Sequence, residues 1–314
     1  MSSQSMAVDV LVKACQDGDA YSGLQTFKAA LQRKVRLRDE AAAHAMLLEA
    51  FQQAAVPFRS AETASELVSK LFPILKDFGH NGDLWGIEKV RAIISCFMNV
   101  PEGEVSVAWC QSHVQFVVSA LGWWRAGKNP QDCVDGETSI NFSVFLNEAL
   151  CHANMRLAHC TEDDEEASCE ALANAYKASL CCALNMELIL SVVMELRCRL
   201  TETERVFLVA RTIHGLLSAT GEDMGVSPRR ALDTARSMLS HEAVPAEHAA
   251  LGSFLHDVLF IFDSVLKTPT RPSVEQLGGR VIEALCRAYA TALEPVADLD
   301  WVALLHALCT ESEW

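Results

Sequence analysis

Helical periodicity runs through almost the whole of this 314-residue chain, broken only by short polar or glycine-containing stops. No segment shows the strict apolar–polar alternation of a half-buried strand. Nine prolines and fifteen glycines are too few for the many tight turns of a β-protein, and they leave room for long helices. The spacing predicts about fourteen helices. Because the breaks are short, successive helices are expected to run antiparallel, and a run of such hairpins stacks into an α-solenoid. The expected fold class is therefore all-α, an α-solenoid of degenerate tetratricopeptide-like repeats without a regular consensus. Residues 1–314 are expected to form a single α-solenoid domain. Its N-terminal half covers 1–125 and its C-terminal half 139–314, on either side of the loop Arg125–Thr138.

The first helix is expected over Met6–Gln16, ending at Asp17-Gly18-Asp19, because glycine takes a left-handed cap cheaply. The second runs over Ala20–Val35, where Leu24, Phe27, Leu31 and Val35 form one stripe and Arg33 falls on the opposite side. The third starts at Asp39-Glu40 and stops before Pro57. Further helices are predicted over Ala61–Phe78 (capped by Ser60 and bent at Pro73), Leu84–Met98, Glu104–Trp124, Ser139–His159, Ala167–Lys177 and Leu180–Arg199. Thr201 with Glu204 reads as a capping box for Glu202–Thr220. Ser227-Pro228 starts the next helix, to Ser240. The last three are predicted from Pro245 to Lys267, from Ser273 to Glu294, and from Asp298 or Asp300 to Cys309.

Half of the residues are apolar and 21% are charged, which is globular composition, and the formal net charge is −15. An acidic chain is not expected to bind nucleic acid, which needs a basic surface. The N-terminus shows no basic segment followed by an apolar one, so no secretory signal is expected. The most apolar windows, Leu180–Leu196 and Phe254–Leu266, are interrupted by Asn185, Glu187 and Glu195, and by His256, Asp257 and Asp263. No membrane span is expected from either. Twelve cysteines without a C-x-x-C pair read as reduced, buried small hydrophobes of a cytosolic protein; Cys96, Cys110, Cys151, Cys181, Cys182 and Cys198 all fall inside helical patterns.

Candidate chemistry is sparse. His152 and His159 share a helix face, but seven residues put them about 10 Å apart, too far for one metal. Asp163-Asp164-Glu165-Glu166 could serve a metal-dependent all-α enzyme, yet no second acidic set faces it in sequence; a solvated loop is the simpler reading. His241 and His248 are seven apart with Pro245 between them, so they are not a zinc-protease pair. Leu277-Gly278-Gly279-Arg280 is a weak phosphate signal, and no P-loop, dinucleotide or nucleophile-elbow motif occurs. No catalytic residue, cofactor or metal ligand is assigned, and the protein is expected not to be an enzyme.

Two features stand out. Within Val8–Ala54, the segment Lys28–Arg38 holds Lys28, Arg33, Lys34, Arg36 and Arg38 and no acid; subtracting its +5 from −15 leaves −20 elsewhere. It reads either as a solvated helix end or as a docking face for an acidic partner. In the second, Phe254–Leu266, apolar residues cover nearly the whole helix circumference. Such a helix is either a central core helix or is partly covered by a second chain.

In residue pattern the chain resembles the α-solenoid adaptor family of the guided entry of tail-anchored proteins (GET) pathway. Gly18-Asp19-Ala20-Tyr21, Gln25, Phe27, Lys28 and Arg33 align without gaps with that family's first helix pair. Leu150–Tyr176 is similar to its succession of helix, short acidic loop and alanine-rich helix ending in Tyr. Leu285-Cys286, Tyr289 and Leu293, preceded by Phe254–Leu266, resemble its late helices. Lys267–Gly279 departs from the family, with Pro269 and Pro272 where a short β-hairpin is usual. The resemblance implies a non-enzymatic scaffold that links a targeting ATPase to a ubiquitin-like protein and, through it, to a tetratricopeptide co-chaperone. On this likeness Lys28, Arg33, Lys34, Arg36 and Arg38 would face the ATPase. Phe254, Leu255, Val258, Leu259, Phe262, Leu285 and Tyr289 would hold the ubiquitin-like partner. A different helical-repeat scaffold, tetratricopeptide-like or proteasome-lid-like, is the alternative.

Overall fold

A computed structural model describes residues 3–127, 136–182, 185–218, 228–241, 244–267 and 283–310. The described residues are helical, without strands. By contacts the chain divides into two compact units, Met1–Ala175 and Tyr176–Trp314. The division falls inside a helix, not at the loop Arg125–Thr138 that separates the halves in sequence.

The first unit holds α1 (Ser3–Gln16), α2 (Ala20–Arg36), α3 (Glu40–Ala50), α4 (Ala61–Phe78), α5 (Leu84–Met98), α6 (Val107–Ala126), α7 (Gly136–Cys160) and most of α8 (Glu165–Leu180). The starts of α2 to α6 carry the chemistry that helix N-termini need, an oxygen that accepts from an otherwise orphaned N–H. Asp19 caps α2, Asp39 caps α3, Ser60 caps α4, Asp83 caps α5 and Ser106 caps α6. Helices pack on their sequence neighbours (α1 on α2, α6 on α7) and on the next but one (α1 on α3, α2 on α4, α4 on α6). This is the pattern of a helical-repeat-like chain. The first hairpin is close-packed because α2 presents Gly23 to α1; a Cβ there would lie 2.5 Å from that of Ala14.

One boundary differs from expectation for a physical reason. The third helix does not stop before Pro57. It widens into a π turn at Phe51–Ala55 and continues through Val56–Phe58. In the π turn the Val56 N–H reaches back five residues to the Phe51 carbonyl. The wider turn admits the proline ring, which needs no donor partner of its own. The helix stops at Arg59, in a left-handed conformation with φ 49°.

The core of this unit runs from Val8 and Leu11 through Phe27, Phe51 and Phe97 to Trp109, Phe116 and Phe142. Among the described residues, one charge is buried in it. Arg156 of α7 donates to the Phe97 and Val100 carbonyls at 3.0 and 2.6 Å, placing a cation on the C-terminal end of α5, where the helix dipole favours it.

The second unit holds the end of α8, then α9 (Met186–Arg197), α10 (Glu202–Ser218), α11 (Pro228–His241), α12 (Ala249–Lys267), α13 (283–288), α14 (Ala290–Leu293) and α15 (Trp301–Thr310). The predicted capping box forms: Thr201 N–H donates to Glu204 and Glu204 N–H to the Thr201 hydroxyl, at 2.9 and 3.3 Å. Two predicted helices are shorter than expected. Leu180–Arg199 is interrupted after Leu180, and Asn185 caps the new start at Met186. The late helix breaks at Tyr289. The core gathers Ile213, Leu216, Phe254, Val258, Phe262 and Trp301. Tyr176 ties the end of α8 to it through a 2.9 Å hydroxyl contact with Thr212.

Among the described cysteines Cys110, Cys151 and Cys182 are buried, as expected, but Cys181 and Cys198 are exposed. Cys181 lies in the turn after α8 and Cys198 is the residue that ends α9, so neither sits on an apolar helix face.

Candidate protein-interaction surfaces

α2 buries Gly23, Leu24, Phe27 and Leu31, three residues of the predicted stripe and the glycine beside it. Its basic block then divides into two kinds of residue. Lys28 pairs with Glu66 of α4 at 2.5 Å, and Lys34 with Asp39 at 3.2 Å. Arg38 donates to the Asp77 carbonyl at 2.7 Å and lies over the Phe78 ring. These three hold α2 to the end and start of its neighbours. Arg33 and Arg36 are exposed, and no partner for either exists among the described residues. They share the solvent ridge of α2 with Tyr21, Gln25, Ala29 and Gln32. No acid interrupts that ridge, because α2 contains none, and Tyr21 stands 66% exposed at its start. The cations sit at the helix C-terminus, the end where the dipole favours them.

α12 resolves differently. Phe254, Leu255, Val258, Leu259 and Phe262 are brought together, but in the interior; each is fully or almost fully buried. Phe254 packs edge-on to Trp301 and Tyr289 at 5.2 and 5.6 Å between ring centres. Leu285 and Tyr289 are half-buried against the same cluster. The apolar circumference is therefore incomplete. Ser253, His256, Phe260, Ser264 and Lys267 form a solvent-facing stripe on the side opposite Phe254. Phe260 is 70% exposed. It borders a pocket of about 500 Å³ lined by Arg236, Leu239, His256, Asp257 and Leu259.

Beside it, the carboxylate of Asp263 receives Arg236 at 2.9 Å, Lys267 at 2.6 Å and Arg229 at 3.4 Å. Hydrogen bonds from Arg236 and Lys267 hold that carboxyl down to about 2. Tyr289 donates to Asp257 at 3.0 Å, which fixes the late helix against α12. Neither the stripe nor the pocket was legible in the sequence: the run reads as apolar nearly all round, and Arg236 comes from another helix.

A second cluster has no sequence signature. His80, in the break after α4, contacts Glu40 through Nε2 and Asp83 through Nδ1, the latter at 2.6 Å. Burial opposes its charge, but the hydrogen bonds to Asp83 and Glu40 outweigh it and raise its pKa. Its ring stacks on Trp85, against whose edge the buried His44 packs. Burial, with the charges of His80 and Lys89, pushes His44 down to about 4. His113, stacked on Phe97, is pushed down to about 3 by burial and by Arg156 and His152.

An open groove of about 1200 Å³ runs between α4 and α6 over Ser65, Ser69, Phe72, Gln115, Ser119 and Trp123. Its lining offers no base paired to a nucleophile.

The acidic loop serves α8: Asp164 accepts from the Ala167 N–H at 3.1 Å, and Glu162–Glu166 are exposed. Among the described residues no three His, Cys, Asp or Glu side chains converge on a point that could hold a metal ion. Leu277–Arg280 and the segment after Lys267, where the β-hairpin was at issue, lie outside the described residues. Among the described residues one helix, Ala246–Lys267, is long and apolar enough by composition to cross a membrane, but its apolar side faces the core of the second unit. Comparison with known protein families, with curated proteins and with solved structures finds no match for this chain.

Proposed function

We propose that the protein is a non-enzymatic cytosolic scaffold of the GET-adaptor type, an α-solenoid that joins a targeting ATPase to a ubiquitin-like protein in the delivery of tail-anchored membrane proteins. The supporting observation is the pair Arg33 and Arg36, two cations without a partner among the described residues, on an acid-free ridge of a chain that carries −15 overall. Charge placed this way steers association with an acidic surface more than it stabilises a fold. The ATPase docks along the α2 ridge, with Tyr21 and Gln25 beside the arginines. Lys28, Lys34 and Arg38 keep the ridge in position. The ubiquitin-like partner is held on the second unit at the exposed stripe of α12, with Phe260 as its apolar anchor and Leu285 and Tyr289 at the edge. Phe254, Leu255, Val258, Leu259 and Phe262 support that surface from beneath.

The test is binding of the purified ATPase to the double variant Arg33→Glu/Arg36→Glu. Affinity should fall on the order of tenfold or more, and binding by the unaltered protein should weaken as salt is raised. Unchanged affinity with a normally folded variant would remove the ridge from the account.

A further inference from the structure

We propose that Cys110 and Cys160 are an oxidation site of this protein, a thiol pair that closes to a reversible disulfide in the presence of a peroxide. Their Sγ atoms lie 3.7 Å apart although the residues are separated by 50 positions in sequence. At that distance the two sulfurs are already in contact, and about 1.7 Å of further approach would bring them to a bond of about 2.05 Å. The slack is on one side. Cys110 is anchored in the first turns of α6, whereas Cys160 is the last residue of α7 and leads into the turn Thr161–Asp163. The Cys160 thiol also reaches the Val105 carbonyl at 3.7 Å, so it rests across the entry to α6.

The two thiols differ in access, which assigns their roles. Cys110 is 2% exposed, and Cys160 is half-buried. A peroxide therefore meets Cys160 first. Burial and the neighbouring sulfur of Cys160 push Cys110 up to about 12, so it keeps its proton until it reacts. The Cys160 sulfur attacks one peroxide oxygen; an S–O bond forms, the O–O bond breaks, and the thiol proton leaves on the departing oxygen, as water when the oxidant is hydrogen peroxide. The Cys110 sulfur then attacks the sulfenic sulfur of Cys160. The S–S bond forms, the S–O bond breaks, and hydroxide leaves with the Cys110 proton as water. The two thiols lose two electrons and the peroxide gains them. The Arg156 guanidinium favours negative charge on Cys110 as its proton departs. A small dithiol reverses the reaction by exchange. The bond would tie the start of α6 to the end of α7. The site is independent of the partners proposed above.

The full chain, reduced and freed of reductant, is treated with hydrogen peroxide, alkylated, and mapped by mass spectrometry of a non-reduced digest. The peptides of Cys110 and Cys160 should appear as one linked species that disappears on adding dithiothreitol. The oxidised protein should melt several degrees higher than the reduced one, because the link restricts the unfolded chain. Cys160→Ser should lose both the linked species and the rise, while Cys198→Ser, at an exposed cysteine, should change neither. The proposal is overturned if Cys110 stays open to alkylation in denaturant at peroxide doses that fully oxidise Cys198. Stable sulfinic acid at Cys160, or its pairing with another cysteine, would overturn it equally. Should Cys160→Ser fail to fold, the map of the unaltered protein decides alone.

Discussion

α2 and α12 are opposite in character, one marked by cations and the other by apolar side chains, yet most of what marks each is used up inside the protein. Three of the five basic residues on and after α2 bind Glu66, Asp39 and the Asp77 carbonyl. Six of the apolar residues of α12 fill the core around Trp301. What remains is small: two arginines on one helix and one phenylalanine on the other. A sequence anomaly thus sets an upper limit on an interaction surface, and the neighbouring helices decide how much of it is left over.

That contrast can be broken most sharply at α12. Phe254→Ala should cost about 3–5 kcal/mol in urea unfolding, because it empties a site between Trp301 and Tyr289. Phe260→Ala should cost less than about 0.5 kcal/mol, while weakening capture of a ubiquitin-like partner. Equal costs would mean that the buried and exposed sides of α12 have been assigned wrongly.

The titrating groups of the first unit give the next largest effect. His44 and His113 are held neutral in the fold, with pKa values near 4 and 3. Below about pH 6.5 the unfolded chain takes up protons at these positions and the folded one does not, so stability falls as pH drops towards 4, by up to about 3 kcal/mol for His44. His80 is shifted the other way. Its contribution is fully present below about pH 6.5 and is lost as pH rises through its raised folded value. Stability measured against pH should therefore peak near about 6.5, and His80→Gln should flatten the alkaline side alone.

Smaller again is the hairpin that positions the ridge. Gly23→Ala should cost about 1–3 kcal/mol, since its Cβ would press on Ala14 and Leu11 of α1. It should weaken ATPase binding indirectly, by displacing α1 from α2. The smallest effect on stability belongs to Arg33→Glu/Arg36→Glu, expected within about 0.5 kcal/mol because neither side chain has a partner among the described residues to lose. Lys28→Glu should destabilise more than either arginine while changing ATPase affinity less. The reverse order would show that Lys28, not the arginines, is the outward-facing cation.

Much of the helix plan was legible. Leu84–Met98 and Ala61–Phe78 were predicted to the residue, since Asp83 and Ser60 cap them and Gly79 ends the second in a left-handed turn. The capping box at Thr201 and Glu204 was equally plain. Pro57 misled, because a π turn two residues earlier accommodates it and nothing local announces that turn. The break after Leu180 was hidden by an apolar run that continues on both sides of it. Of the surfaces, Arg33 could be placed on the outer side of α2 from spacing alone, whereas Lys28 could not be separated from it without knowing that Glu66 lies opposite. His80 and the Cys110–Cys160 pair were invisible, since their partners lie up to 50 residues away.

By itself the sequence determined that the described residues are helical, where most of the helices begin and end, and which face of α2 is apolar. Those properties follow from backbone caps and side-chain periodicity, which act over three or four residues. Only the tertiary structure decided which charges are spent on neighbours, which side of α12 meets solvent, and which thiols touch. Those depend on groups far apart in the chain, whose meeting is set by how whole helices pack.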